Sequence, residues 1–409
     1  MVLALGWVFQ VGRKTTTGLV RGAGHLAQKH YASYSRFFNT TSWACSSFWR
    51  WVFDTVQDVV DESRLIMAVD DTCVSKSGRA ISASGWFVDS SGSSYQSTTY
   101  VWGQCWVVLS VVVSNPLGFE KTWSFPVGLR LFVPKDQCLE GTYQSKLEIA
   151  HKMVQQRSRW AERPLLVLAD RLYAGGPFMA GFDEDVDVIV RMKRNAKLFE
   201  LPGPSDGVGR PRKKGQRFPS PEEWVNEADG WETVEATLYG TKKEIQIQSR
   251  MALWYDVTGT NVGRIVLMKE SESDRWAVFY STDPQLEPGQ IPELYSRRWA
   301  LEITIRDAKQ YGGFKDAQCR TDDAVRRQGT FNLGLMSLVQ CWFCQQDKDV
   351  RERLNRDDWE DAQAPPSFQI MLQTLRWELR TQQFSQEWGQ TPCSGKKIEE
   401  FFDEIARAA

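Results

Sequence analysis

The chain has 409 residues, of which 42% are hydrophobic and 25% charged, and this composition is typical of a globular protein with two or three structural units. No apolar run reaches the roughly 18 residues that a membrane-spanning helix needs, and no export signal precedes the first elements, so we expect a cytoplasmic protein without a membrane partner. Three His and eight scattered Cys disfavour zinc sites, His-dependent nucleophiles and disulfide scaffolds.

Residues 1–62 predict a basic helical region. Three short helices are expected, with Thr15 or Thr16 and Thr41 or Ser42 as N-caps. Residues 1–53 contain no Asp or Glu, although the net charge of the whole chain is only −1. This asymmetry suits a polyanion, and the DNA contacts that we expect here are Arg13, Lys14 and Arg21. A helical arm that packs on the next domain and happens to be basic is an equal alternative.

Residues 63–192 predict the first part of an α/β core. The apolar run RLIMAVDDT reads as a buried strand that ends in two acids, and several β-rich segments and a helix follow it. LLVLAD is a second apolar strand that ends in an acid, and DVIVRM is a third strand. Strands that alternate with helices in this way indicate a mixed sheet flanked by helices.

Residues 193–290 predict a β-rich insertion of four successive antiparallel strands. A Pro/Gly/Lys-rich loop precedes these strands. Its cations resemble a minor-groove hook, because Arg and Lys on an extended backbone suit a narrow groove; a flexible solvated loop explains them nearly as well. The predicted contacts are Arg210, Arg212, Lys213 and Lys214.

Residues 291–345 predict the last part of the core, with a charged helix in YSRRWALEITIRDAK. Tyr295, Arg298, Glu302 and Lys309 fit Y-x2-R-x3-E-x6-K, and on one continuous helix they fall within a roughly 60° stripe. Such a stripe can hold a metal on the acid and phosphate oxygens on the cations. The alternative is a solvated face on which Arg298 and Glu302 form an ordinary i,i+4 pair.

The strand-ending acids are the expected partners of Glu302. Asp70 or Asp71, Asp170 and Glu302 could share two divalent ions that activate a water or a 3′-hydroxyl. Oxygen ligands and scarce His favour Mg²⁺ or Mn²⁺. Alternatively, Asp70 and Asp71 form a turn with Thr72.

AVDDTCVSKSG, VLADRLYAGG and YSRRWALEITIRDAK together resemble the DDE transposases of bacterial insertion sequences, and more narrowly the insertion-sequence-four superfamily. The resemblance implies an RNase H-like catalytic core, metal binding by Asp70, Asp170 and Glu302, and phosphate contacts from Tyr295, Arg298 and Lys309. Asp70 is preferred to Asp71 because the first motif of the family reads Asp-x-Thr.

The resemblance further implies a nucleoid-associated enzyme that binds the inverted terminal repeats of its element and a target DNA as a dimer, with no small-molecule substrate. Residues 346–409 match nothing in the family, and dimer contacts are one interpretation of them. Two rivals stay open: a catalytically silent DNA-binding descendant, and an RNase H-like nuclease without strand transfer.

Overall fold

The computed structural model of the protein describes residues 1–89, 92, 97–203, 211–226, 229–270, 275–347 and 365–388, with side chains as far as residue 382. Within these ranges ten strands form one sheet. They are β1 (Leu65–Ser75), β2 (Gly85–Val88), β3 (Tyr100–Ser114), β4 (Thr122–Phe132), β5 (Leu165–Ala169), β6 (Val186–Arg191), β7 (Glu232–Leu238), β8 (Thr241–Leu253), β9 (Val262–Glu270) and β10 (Trp276–Ser281).

Twelve α-helices lie in the same described ranges, and none of them has the length and apolarity needed to cross a membrane. They are α1 (Val2–Phe9), α2 (Thr16–Ala23), α3 (Tyr31–Asn39), α4 (Cys45–Gln57), α5 (Lys146–Ser158), α6 (Gly176–Met179), α7 (Pro221–Trp224), α8 (Tyr255–Thr258), α9 (Gln290–Ser296), α10 (Trp299–Gln310), α11 (Asp322–Gln345) and α12 (Phe368–Trp388).

The sheet is mixed. β3 lies between β4 and β1 and is antiparallel to both, whereas β5 and β6 follow on the other side of β1 and are parallel to it. The apolar runs Leu65–Val69 and Leu165–Ala169 are buried throughout, as parallel strands covered on both faces should be. A mixed sheet flanked by helices confirms the predicted α/β fold class and is consistent with an RNase H-like core.

The first strand is longer than the sequence predicts. A strand end was expected at Asp70 and Asp71, and this expectation is wrong, because β1 stays paired with β3 as far as Ser75. Its parallel pairing with β5 does stop at Val69, which is opposite Ala169. The two acids therefore lie in the middle of a strand but at the edge of the parallel part of the sheet.

The four strands predicted between residues 193 and 290 are all present as β7 to β10. β10 pairs antiparallel with β6, and β9, β8 and β7 follow in order. This segment therefore continues the central sheet.

The N-terminal helices pack on the core. The Trp7 indole donates to the Gly312 carbonyl at 3.0 Å, and Phe38 lies edge-on to Phe331 of α11. Thr15 caps α2 as predicted, since its side chain accepts from the Gly18 amide. The caps predicted at Thr41 or Ser42 are wrong, because α4 begins at Cys45 after Ala44 and has no side-chain cap.

Candidate active site

The adjacent acids of β1 have different partners, because successive side chains of a strand point to opposite faces. The Asp70 carboxylate accepts from Nη1 of Arg298 at 2.6 Å. The Asp71 carboxylate binds Nζ of Lys146, on α5, at 2.5 Å. Asp71 also accepts from the Cys105 thiol at 3.4 Å. Asp70 therefore belongs with the predicted helix residues, and Asp71 with a separate ion pair.

Burial disfavours the charged form of Asp70. Together with the charges of Asp170 and Asp71, it raises the pKa of Asp70 to about 7, although Arg298 opposes the shift. A cation bound beside Asp70 would favour its charged form.

Asp170 follows the last residue of β5, as predicted. Its carboxylate accepts from the Leu172 amide at 2.8 Å, so the side chain also fixes the turn after the strand. Burial raises the pKa of Asp170 above its ordinary value, while that hydrogen bond and the charge of Arg298 oppose the shift. The electrostatic effect of Asp170 on Asp70 reflects the proximity of the two acids on neighbouring strands.

Glu302 lies on the first turn of α10, and Nη2 of Arg298 binds its carboxylate at 2.5 Å. One guanidinium therefore joins Asp70 to Glu302, across 232 residues of sequence. The continuous helix expected over 295–309 is wrong: α9 ends at Ser296, and i,i+3 bonds from the amides of Arg297 and Arg298 form a tighter turn before α10. That turn places Arg298 between the two acids.

Tyr295 is only 7% exposed, and its ring packs on Phe279 with centroids 4.8 Å apart. Burial raises the pKa of its phenol, and the charges of Arg298 and Asp170 act on the same group. The phenol is therefore held at the edge of the acid cluster, and the burial of its ring fixes its position.

Lys309 lies apart from Asp70, Asp170 and Glu302. It lines an open cavity of about 560 Å³ together with Arg13, Asp71, Lys315 and others. In the part of the chain that the structure describes, Lys309 makes no hydrogen bond or ion pair with any of the three acids. Burial lowers the pKa of its ammonium group.

The cations predicted to contact DNA divide into exposed and internal groups. Arg13, Arg21, Arg212 and Lys213 are exposed. Lys14 is 3% exposed, and its ammonium group donates to the Trp7 and Gln10 carbonyls, so it does not lie on that surface. Burial lowers the pKa of Lys14 to about 7. Lys214 lies over the rings of Phe199 and Tyr255, and Arg210 falls outside the described residues.

Sequence reasoning missed two cations near the acids of the sheet. Lys146 directly follows the Ser145 cap of α5, but its pairing with Asp71, 75 positions earlier, had no sequence signal. Arg191 ends β6, and its position after a third apolar strand was a signal that could have been used.

The donors fit a hard divalent cation in chemistry, although not in their present arrangement. Asp70, Asp170 and Glu302 offer only carboxylate oxygens, the ligands that Mg²⁺ and Mn²⁺ prefer. Within the described ranges, no three His, Cys, Asp or Glu side chains gather closely enough to hold one ion. Arg298 occupies the space between two of the acids, so a metal would replace its guanidinium as their partner.

In a comparison with protein families, residues 2–252 match a model described as DDE superfamily endonuclease. The matched residues include Asp70 and Asp170 and end within β8, before the turn that carries Arg298 and the helix that carries Glu302. No curated protein matches the chain.

Proposed function

This chain belongs to the DDE superfamily of endonucleases, and from that premise we propose that it is the DNA transposase of a bacterial insertion sequence of the insertion-sequence-four superfamily. It would bind the inverted terminal repeats of its element, cut the DNA by metal-assisted hydrolysis, and join the freed 3′-hydroxyl to target DNA. The observation that supports this proposal most is the Arg298 bridge, which brings Glu302 to Asp70 beside Asp170.

Asp70, Asp170 and Glu302 are the residues that would hold the metal. Enzymes of this family generally use divalent metal ions. Two such ions, when bound, polarise the scissile phosphate and stabilise the attacking and leaving oxygens. In this proposal Asp71 is not a ligand, because Lys146 already holds its carboxylate on the other face of β1.

Arg298 and Tyr295 would position the DNA strand. If Asp70 and Glu302 held the metal, the Arg298 guanidinium would be free to donate two parallel hydrogen bonds to phosphate oxygens. Its Nε is buried and has no hydrogen-bond partner among the described residues, so one donor of the guanidinium is unused. The Tyr295 phenol lies beside it and would donate to the same phosphate. Lys309 would act on a more distant phosphate, through the cavity that it lines.

The remaining regions receive roles in the same proposal. Residues 1–62 would contact DNA through Arg13 and Arg21, and residues 63–192 and 291–345 would form the catalytic core. Residues 193–290 would close over the DNA end, with Arg212 and Lys213 on the exposed loop. A homodimer would hold the two ends, with contacts from residues 346–409, most of which lie outside the described residues.

One assay distinguishes the candidate functions. The protein is incubated with Mg²⁺ or Mn²⁺, a target plasmid and a duplex carrying the inverted repeat that flanks its reading frame. Joined product that disappears in Asp170→Asn and in Glu302→Gln is the expected result. Cleavage without joining would identify a nuclease, which the description of the matched family also allows. Metal-independent binding without any product would identify a silent DNA-binding protein.

A further inference from the structure

Two cysteines lie directly opposite each other on neighbouring strands, on the face of the sheet that carries Asp71. Cys73 on β1 is the register partner of Cys105 on β3, and both are free thiols. Opposed residues of an antiparallel pair have Cα atoms about 4.5–5.5 Å apart, which is a separation that a disulfide spans. The side chains of Asp71 and Cys73 share a face because they are two positions apart on one strand.

The two thiols differ in their access to solvent. Cys73 is half-buried and lines the open cavity of about 560 Å³ that Lys309 also lines. Cys105 is fully buried, and its thiol donates to the Asp71 carboxylate at 3.4 Å. A reagent in the cavity therefore reaches Cys73 directly, whereas the protein shields Cys105.

The surroundings of Cys73 favour its thiolate. A hydrogen bond from Cys105 lowers the pKa of the Cys73 thiol, and the charges of Lys146 and Lys309 act in the same direction, although burial and Asp71 oppose the shift. The same hydrogen bond and burial raise the pKa of the Cys105 thiol. The thiolate is the nucleophilic form of cysteine, so Cys73 should react first. An accessible thiolate beside a second thiol is the arrangement of oxidation-sensitive cysteines.

We propose that Cys73 and Cys105 form an oxidation site, at which hydrogen peroxide converts the two thiols into a cross-strand disulfide. First, the Cys73 sulfur attacks the O–O bond, which breaks to give a sulfenic acid on Cys73 and one water that carries the former thiol proton. Next, the Cys105 sulfur attacks the Cys73 sulfur. An S–S bond forms, the S–O bond breaks, and the hydroxyl group leaves with the Cys105 proton as a second water. The two thiols are oxidised by two electrons, and the peroxide is reduced by two.

The oxidation site goes beyond the proposed function and does not depend on it, since neither thiol is assigned to metal or DNA. The disulfide would join β1 to β3 three residues after Asp70 and would remove the thiol proton that Cys105 donates to Asp71. The competing explanation is a pair of inert thiols that only pack in the core. Cys138 serves as the comparison, because it is also half-buried but its thiol donates to backbone carbonyl groups.

The test uses the full-length, reduced wild-type protein and a small excess of hydrogen peroxide. The remaining thiols are blocked with N-ethylmaleimide, and tryptic peptides are compared by mass spectrometry with and without dithiothreitol. Trypsin can separate the two cysteines, because Lys76 and Arg79 lie between them. The expected main product is a disulfide between Cys73 and Cys105 that dithiothreitol reverses. In the reduced protein, iodoacetamide should alkylate Cys73 at least about tenfold faster than Cys138.

Three controls show whether the fold causes this reactivity. Cys105→Ala removes the second thiol, so oxidation of Cys73 should stop at a sulfenic acid that dimedone traps, and alkylation of Cys73 should slow. Cys138→Ala should keep the wild-type products. In concentrated urea the strands no longer hold the two thiols together, so their disulfide should lose its preference over other cysteine pairs.

Two results would contradict the proposal. If peroxide leaves both thiols open to alkylation, or if Cys73 pairs with other cysteines as often as with Cys105, the oxidation site does not exist. The wild-type measurements decide this point even if Cys105→Ala does not fold. No DNA is present in the test, so a failure of the proposed function would not alter its outcome.

Discussion

Asp70 and Asp71 are neighbours on β1, but their side chains lie on opposite faces of the strand and have different partners. On one face Asp70 pairs with Arg298 close to Asp170, and burial beside like charge raises its pKa to about 7. On the other face Asp71 is held by Lys146 at 2.5 Å. The residues differ by one position, but only the first has a partner that also binds Glu302.

This contrast indicates that a carboxylate that lies beside other acids and shares its cation is suited to catalysis. A carboxylate with a cation of its own is suited to stabilising the fold. Asp70 is buried beside other acids and shares its cation, Arg298, with Glu302. Asp71 forms a half-buried pair whose loss would leave Lys146 without its partner. Each prediction below tests one side of this contrast.

The largest expected effect is on catalysis. Asp70→Asn should lower the rate of DNA cleavage by at least about 10³-fold, because it removes a group that acts on the reacting atoms. Asp71→Asn is the matched control and should stay within about tenfold of the wild type, a change of roughly 1.4 kcal/mol. Single-turnover cleavage of the inverted-repeat duplex measures both rates. Equal losses in the two variants would remove the distinction between the faces.

The next effect concerns pH and stability in the metal-free protein. The pKa of Asp70 is raised to about 7 in the folded state from an ordinary value of 3.8. Protonation of Asp70 therefore contributes to the unfolding free energy. This contribution is complete below about pH 4 and is lost as the pH rises through about 7. The contribution is at most about 4 kcal/mol. Asp70→Asn cannot ionise, so it should gain stability relative to the wild type between pH 5 and pH 8.

Denaturant unfolding in EDTA across that pH range checks this prediction. The difference in unfolding free energy between Asp70→Asn and the wild type should grow with pH and level off above about 7. Parallel pH curves for the two proteins would mean that burial does not disfavour the Asp70 carboxylate.

A smaller effect on stability is expected on the opposite face. Asp71→Asn should lower the unfolding free energy by about 1–3 kcal/mol at pH 7.5, because the ammonium group of Lys146 keeps its place but loses its counter-charge. Lys146→Met removes that charge at the same time, so the double variant should recover part of the loss. Thermal and denaturant unfolding of the two single variants and the double variant measure the coupling between Asp71 and Lys146. Strictly additive losses of unfolding free energy would argue against an ion pair between them.

The smallest effect is expected in the basic region of residues 1–62, where exposed and buried cations should differ in their contribution to DNA binding. Arg13 and Arg21 are exposed, whereas Lys14 is enclosed by carbonyl groups. Arg13→Ala and Arg21→Ala should each reduce the slope of log binding constant against log salt concentration by about 0.9. Lys14→Met should leave that slope unchanged. A fluorescence titration with the inverted-repeat duplex at several salt concentrations measures the slopes, and unchanged slopes in all three variants would exclude the arm as a DNA contact.

Sequence alone predicted the elements well, because buried strands and capped helices leave local patterns. The strand before Asp170 and the four strands from β7 to β10 all lie where the periodicity placed them. Prediction from sequence was wrong where contacts between distant segments determine the structure. β1 continues past Asp71 because β3 pairs with it. The helix expected over 295–309 is broken at Arg297 and Arg298.

The site was predictable in part for the same reason. The sequence named Asp70, Asp170 and Glu302 as candidates, but the sharing of Arg298 between two of them depends on the tight turn before α10. The burial of Lys14 was not predictable, since it depends on the packing of the N-terminal segment near Asp316. Local patterns carry no signal for partners that lie hundreds of residues apart.

A crystal structure of the protein with its inverted-repeat duplex and Mn²⁺, with the ions located by anomalous scattering, would test the shared metal site. We expect Mn²⁺ bound by oxygens of Asp70, Asp170 and Glu302, with Arg298 turned from the acids to a DNA phosphate and Asp71 still on Lys146. Mn²⁺ on Asp71, or a DNA complex in which Arg298 still bridges Asp70 and Glu302 with no ion between them, would contradict this expectation.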